Sequence, residues 1–234
     1  MHAEFEIAGP AACSAMKVEI SELVVAGWAG RDRAAVDHHI QELAELGVAP
    51  PKSVPLYYRV GENNLTQSAQ IQVLGEASSG EVECFLFASR GSLYVTIASD
   101  HTDRELEAFG VAQSKQICPK PIAETAWRFE DVADHWDELV MRSWIEEGGR
   151  RTLYQEGALV ALLPPAELIA KFGQASTFGA VSALLPDGMG MICGTVPVIG
   201  GIRPATGFEM ELYDPVLDRA IRHSYAVIAL PLVA

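Results

Sequence analysis

The stretch GEVECFLFASRGSLYVTIASD, residues 80–100, decides how this chain is read. Two runs rich in aromatic and β-branched residues, 81–88 and 92–98, flank a polar turn containing Gly91, the pattern of successive strands. Two further strands are expected just upstream at 54–60 and 69–74, and strands this closely spaced imply an antiparallel or mixed sheet. Working outward, the first 27 residues mix alternating patterns with Gly and Pro and read as short strands along one edge. Over 31–46, Ala34, Val36, Ile40, Leu43 and Leu46 recur at helical spacing, with Gly47 as the stop before Pro50 and Pro51. Downstream, 103–111 suits a short helix and 132–145 a longer one, and the remainder alternates strands with short helices. No period repeats and no low-complexity linker divides the chain. The expectation is one β-rich α+β domain over residues 1–234.

The chain carries 31 acidic and 17 basic residues, a formal net charge of −14, with 49% hydrophobic and 21% charged residues. That composition is globular and excludes a disordered acidic chain. The acidic excess disfavours nucleic acid and anionic membranes, both of which are bound by neutralising phosphates with Lys and Arg. Trp28, Trp127, Trp136 and Trp144 are not interleaved with basic residues, so core or interface packing is expected of each. Cys13, Cys84, Cys118 and Cys193 show no C-x-x-C spacing, which points to free thiols. The N-terminal stretch has acidic residues from position 4 and no basic start before an apolar run, and the expected location is cytoplasmic.

Glu81 and Glu83 are two apart on an expected strand, so their side chains share a face while Val82 and Cys84 take the other. Such a pair is either a solvated outer face or two hard oxygen ligands for a divalent cation. Asp100 follows the strand directly and offers a third carboxylate, or else it caps the next helix together with Thr102 and Asp103. An all-oxygen set of this kind suits Mg²⁺ or Mn²⁺ and argues against zinc. His39 and Glu42 stand three apart on the expected helix, where a carboxylate can orient an imidazole as a base toward water, while His38 points elsewhere. Lys115 is a candidate for holding an anion near the cation, and Arg59 for a bidentate carboxylate contact. Gly194 and Thr195 can offer a backbone N–H and a hydroxyl to a carboxylate; turn geometry explains that glycine equally well.

Taken in order, these segments resemble the fumarylacetoacetate hydrolase superfamily. GRDRAAVDHHIQE and PPKSVPLYYR are similar to its His-x-x-Glu and Pro-x-x-Pro segments, GEVE to its Glu-x-Glu pair, and SDHTDRELE to the stretch carrying its third metal carboxylate. SKQICPKP places Lys115 on the family's lysine. TLYQEGALVALLPPAELIAKF, LLPDGMGMICGTVPVIGGIRP and FEMELYD continue the match, which spans roughly residues 25 to 214. The chain departs from the pattern at Ser99, Arg59 and Glu107, and in reading Gly-Thr-Val-Pro rather than Gly-Thr-Pro.

The resemblance implies a mixed β-sheet roll, commonly dimeric, with Mg²⁺ or Mn²⁺ held by Glu81, Glu83 and Asp100 and with residues 28–52 as a lid. It assigns His39 and Glu42 to water activation, Lys115 to an enolate, and Arg59, Arg104, Gln155 and Thr195 to binding the substrate, a small anionic 2-oxo acid. The leading activity is hydrolysis of a C–C bond in an acylpyruvate-like 2,4-dioxo acid through an enolate held by the cation. Decarboxylation of an oxaloacetate-like acid, hydration or tautomerisation of a 2-oxo acid, and simple binding of such an acid are the alternatives.

Overall fold

The structure is a computed structural model that describes residues 1–9, 12–45, 50–175 and 185–233, apart from the side chains of His39, Glu42, Leu43 and Ala175. In chain order its principal strands are β1 (His2–Ala8), β2 (Cys13–Glu19), β3 (Glu22–Gly27), β4 (Leu56–Val60), β5 (Gln70–Leu74), β6 (Val82–Ser89) and β7 (Ser92–Ser99). They continue with β8 (Thr125–Arg128), β9 (Val140–Glu147), β10 (Arg150–Ala158), β11 (Met189–Thr195), β12 (Gly207–Asp214) and β13 (Arg219–Leu230). Four helices, α1 (Arg33–Glu45), α2 (Arg104–Glu107), α3 (Val111–Gln116) and α4 (Pro165–Ala175), lie between them. An eight-stranded sheet has the order β2-β1-β8-β7-β6-β11-β3-β4, and a five-stranded sheet the order β10-β9-β12-β13-β5. Both are mixed: β1 runs parallel to β8, β11 to β3 and β13 to β5, and the other pairs are antiparallel.

The central position of β6 explains its composition. Val82, Cys84, Leu86 and Ala88 pack into the larger core, which also holds Met141, Ile145, Phe208, Met210 and Leu212 of the five-stranded sheet. Phe85 and Phe87 face a second core on the opposite side with Phe5, Ile7, Tyr94 and Ile192. A strand buried on both faces reads as a continuous apolar run, and Glu83 is the one charged residue within it. Its parity places it on the Phe85 side, away from Val82 and Cys84.

Several expectations need correction. Residues 132–145 are not one helix: a 3-10 turn over Ala133–Glu138 leads directly into β9, where Met141, Ser143 and Ile145 are buried and alternate with more exposed neighbours. The period of two decides the matter, and the upstream apolar residues Trp136 and Leu139 pack without helical continuity. The helix expected at 103–111 is cut short to α2, and after Ala108, Phe109 and Gly110 a separate helix, α3, begins at Val111. Among the first strands, β2 and β1 do form an edge, whereas β3 sits inside the sheet between β11 and β4. Helix α1 lies where it was expected, its start capped by Asp32, whose carboxylate accepts from the N–H groups of Ala34 at 2.9 Å and Ala35 at 3.3 Å; Leu46 and Gly47 lie outside the described residues. All four cysteines are free. No helix among the described residues is long and apolar enough to cross a membrane.

Gly190 shows how tightly β11 approaches the second core. A Cβ there would lie 2.4 Å from Phe85 Cζ, and Phe85 is fully buried beside Phe87, with which its ring stacks at 6.0 Å. The Gly190→Ala variant is expected to lose about 1–3 kcal/mol of stability by overpacking, read as a lower urea midpoint at unchanged slope.

Candidate metal centre

Strand pairing assembles the acidic cluster. Val82 opposes Ser99 in the β6–β7 ladder, so the residues flanking that pair, Glu81 and Asp100, meet at one end of the sheet, and the Asp100 N–H donates to the Glu81 carbonyl at 3.0 Å. Carboxylate oxygens of Glu81, Glu83 and Asp100 lie within 4.8 Å of one another. Asp100 and Glu83 are buried, and the Glu81 side chain is 14% exposed. This excludes the solvated-face reading of the glutamates. It also resolves the capping alternative: Asp103, not Asp100, caps α2, accepting from the Leu106 N–H at 2.8 Å.

Each carboxylate has its own compensation. Lys115, on α3, is bound through Nζ to Asp100 Oδ2. Lys120 Nζ stands 3.1 Å from Asp100 Oδ1 and donates to the His101 carbonyl. Burial alone would raise the Asp100 carboxyl, but these two ammonium groups hold it well below the usual carboxylate range. Burial likewise opposes the charge on Lys115, yet Asp100, Glu81 and Glu83 raise it above an ordinary lysine. Lys120, fully buried, is lowered by desolvation. Arg104 pairs with Glu81 at 3.3 Å and Glu107 at 2.9 Å and donates to Ser79 Oγ at 2.7 Å, which gives Glu81 a cationic partner of its own. Glu83 has no cationic partner in hydrogen-bonding contact among the described residues. Its Oε2 accepts from the Gly194 N–H, and burial, followed by the charge on Asp100, pushes its carboxyl well above the ordinary range.

Gly194 reaches Glu83 through a register shift between Ile192 and Thr195 in the β11–β6 ladder, at a φ of +93°. A Cβ at this position would lie 2.7 Å from Ala29 Cβ, so both the conformation and the packing require glycine. Thr195 Oγ1 donates to the Val82 carbonyl at 2.8 Å. Gln155, buried on β10, accepts from the Val82 N–H at 2.9 Å and the Ser143 hydroxyl at 2.9 Å, and donates to Thr195 Oγ1 and the Val196 carbonyl, each at 2.7 Å. Gln155 and Thr195 therefore clamp the backbone at Val82, between the two glutamates.

The cluster floors a cavity of about 700 Å³. Glu81, Glu83, Asp100, Arg104, Glu107, Lys115 and Thr195 line it, together with Trp28, so the core or interface reading of that tryptophan is replaced by a place on the cavity wall. Arg59 is elsewhere: it pairs with Glu22 at 3.1 Å and is not among the lining residues. Gln155 is likewise absent from the lining. Ala35 and Val36 bring α1 to the cavity, while the side chains of His39 and Glu42 on the same helix lie outside the described residues. His101, beside Asp100, belongs to a buried network: Nδ1 is 3.1 Å from the Tyr225 hydroxyl, Nε2 is 3.0 Å from Ser78 Oγ, and Tyr225 donates to Ser99 Oγ at 2.7 Å. Burial, then Lys120 and Arg104, lowers its pKa to about 3, so the ring is neutral. Lys120 escaped the sequence reading because a lysine between two prolines carries no local sign of burial. What brings it inside is the pairing of Lys120 and Pro121 with Leu65 and Thr66.

The residues fit a hard divalent cation. The donor set is entirely carboxylate oxygen, and Asp100 Oδ1 is buried with no aligned hydrogen bond among the described residues, Lys120 serving it as an ion pair only. The Gln155→Met variant, which removes the partner of the Val82 N–H, is expected to cost about 1–3 kcal/mol in urea unfolding and to weaken Mg²⁺ binding measured by calorimetry.

Comparison with known proteins adds the lineage. No curated protein matches the chain. Among solved structures, Cg1458 superposes with a TM-score of 0.64 at 16% identity, covering 97% of this chain and 88% of that one. 2-Keto-3-deoxy-D-arabinonate dehydratase complexed with magnesium and 2,5-dioxopentanoate gives 0.62 at 15%, covering 92% and 75%. 4-Oxalocrotonate decarboxylase from Pseudomonas putida G7, complexed with calcium and acetate, gives 0.54 at 15%, covering 90% and 78%. These proteins belong to the fumarylacetoacetate hydrolase superfamily, and the mixed-sheet fold expected from the sequence is the one the chain has. A family model described as protein of unknown function (DUF2848) matches residues 26–225, and the chain belongs to that family and has the fold of the fumarylacetoacetate hydrolase superfamily.

Proposed function

We propose that the protein is a Mg²⁺- or Mn²⁺-dependent enzyme that hydrolyses a C–C bond in a 2,4-dioxo acid. The observation that carries this reading is the convergence of Glu81, Glu83 and Asp100 beside Lys115 on the floor of a deep cavity. Four carboxylates, Glu81, Glu83, Asp100 and Glu107, stand against three cations, Arg104, Lys115 and Lys120. With all four ionised the balance is one negative charge in excess, and a divalent cation turns it positive, as an anionic substrate requires. The bound cation would supply Lewis-acid polarisation of a 2-oxo group.

The chain's own residues supply the rest. Lys115, charged and buried at the cavity floor, offsets negative charge developing on the substrate oxygens in a water-poor site. Lys120 and the His101 network hold Asp100 in place, Arg104 holds Glu81, and the Gly194 N–H holds Glu83. His39, oriented by Glu42, takes the proton from the attacking water, and residues 28–52 close over the cavity. The superposed dehydratase and decarboxylase favour a second reading, in which the same floor serves decarboxylation or dehydration of a 2-oxo acid without an attacking water.

A panel of 2,4-dioxo and 2-oxo acids, followed by product mass with Mg²⁺ or Mn²⁺, tests the proposal. Turnover of an acylpyruvate to pyruvate and a carboxylic acid, abolished by chelator and restored by metal, is the expected result. Glu83→Ala should lose metal binding, and Lys115→Met should lower kcat by roughly 10²–10³-fold. Full activity and metal affinity in Glu83→Ala would sink the mechanism. The product mass separates the two readings: gain of water across a cleaved C–C bond marks hydrolysis, whereas loss of CO2 or of water marks decarboxylation or dehydration.

A further inference from the structure

The cavity is divided chemically. Six charged side chains line it around the acidic cluster, Arg31 and Asp32 line it at the start of α1, and Trp28, Val36, Val160, Leu162, Pro197 and Ile202 supply its apolar lining. Val160 and Ile202, each 50% exposed, present aliphatic surface to the same cavity as Trp28, Val36, Leu162 and Pro197, so their apolar surface is contiguous there rather than scattered. The charged groups near the mouth are already committed within the protein. Arg31 spends Nε on the Leu162 carbonyl at 2.9 Å and both terminal nitrogens on Asp137, at 2.8 and 2.6 Å. Asp32 caps α1. The polar group of Trp28, its indole N–H, is hydrogen-bonded to Tyr58.

Trp28 itself has a φ of +61°. A bulky side chain rarely adopts the left-handed region, which costs roughly 1–2 kcal/mol, so the fold holds this ring on the cavity wall against a local backbone preference. A volume of about 700 Å³ lies within the roughly 300–1,000 Å³ of sites that enclose ligands of drug size, and a pyruvate-sized head occupies only a small part of it.

We propose that the substrate carries a bulky apolar group, alkyl or aryl, beyond its 2-oxo acid head, and that these six wall residues receive it. This inference rests on the proposed reading of the metal centre and extends it to a substrate class: apolar acylpyruvates rather than dicarboxylic or sugar-derived acids. A second anionic or polyhydroxyl end would find its charge or hydroxyls desolvated on this wall without partners.

The test is binding rather than turnover, using N-alkyl oxamates, unreactive analogues of 2-oxo acids, titrated calorimetrically into the protein with Mg²⁺. Affinity should rise about threefold per methylene from N-methyl to N-hexyl oxamate, while N-carboxyalkyl oxamates of equal length gain nothing. In Ile202→Ser and Val160→Ser the hexyl-to-methyl affinity ratio should fall severalfold. If oxamate binds with the metal but the ratio is flat, or if the anionic tails bind best, the inference is overturned and the metal-centre reading stands. If no oxamate binds in the presence of metal, both are overturned.

Discussion

Burying like charges together dominates this structure. Register in the β6–β7 ladder brings Glu81 and Asp100 to the same sheet end, and Glu83 enters two residues after Glu81 on a strand that is apolar on both faces. Carboxylates in such a place either find cationic partners or give up their charge. Much of the surrounding architecture meets that demand. Helix α3 delivers Lys115, the short bridge at Lys120 and Pro121 delivers a second lysine, α2 delivers Arg104, and the irregular register of β11 turns the Gly194 N–H onto Glu83. Gln155 and Thr195 are part of the same construction, since they fix the backbone between the two glutamates.

The compensation is uneven, and the unevenness gives the site its chemical character. Asp100 has two lysines and Glu81 an arginine, whereas Glu83, among the described residues, is hydrogen-bonded by the Gly194 backbone N–H and is driven toward protonation by burial and by its acidic neighbour. A cation at the centre relieves that conflict more completely than a proton, because it is shared by all three carboxylates. The acidity of the chain as a whole is a separate matter. Its excess of 14 negative charges discourages polyanionic partners, while the local balance around the cavity suits a small anion once a cation is present.

The fold was legible where periodicity was strong. The apolar runs of β6 and β7 and the spacing of α1 stand where the sequence places them, and the parity of Glu81 and Glu83 against Val82 and Cys84 is reproduced in the two cores. It failed where a short segment carried mixed signals. Residues 132–145 hold enough scattered apolar residues to suggest a helix, yet Met141, Ser143 and Ile145 obey the period of a strand. The three clustered carboxylates were visible because their order along the chain resembles the pattern of the fumarylacetoacetate hydrolase superfamily. The roles of Gln155, Arg59 and Lys120 were not, because each depends on long-range packing: Gln155 reaches across to Val82, Arg59 pairs with Glu22, and Lys120 is brought inside by a two-residue bridge. Trp28 gave no sign of its strained backbone or of its place on the cavity wall.

The proposal that the three carboxylates form a cation site is open to direct observation. The most direct measurement is a crystal structure of the protein grown with Mn²⁺ and oxalate, with diffraction collected at the manganese absorption edge. One strong anomalous peak shared by Glu81, Glu83 and Asp100 is expected, with oxalate beside it and Lys115 turned toward the anion. Bound oxalate without manganese at this position, or manganese found only on surface carboxylates while Lys115 and Lys120 keep both oxygens of Asp100, would contradict it.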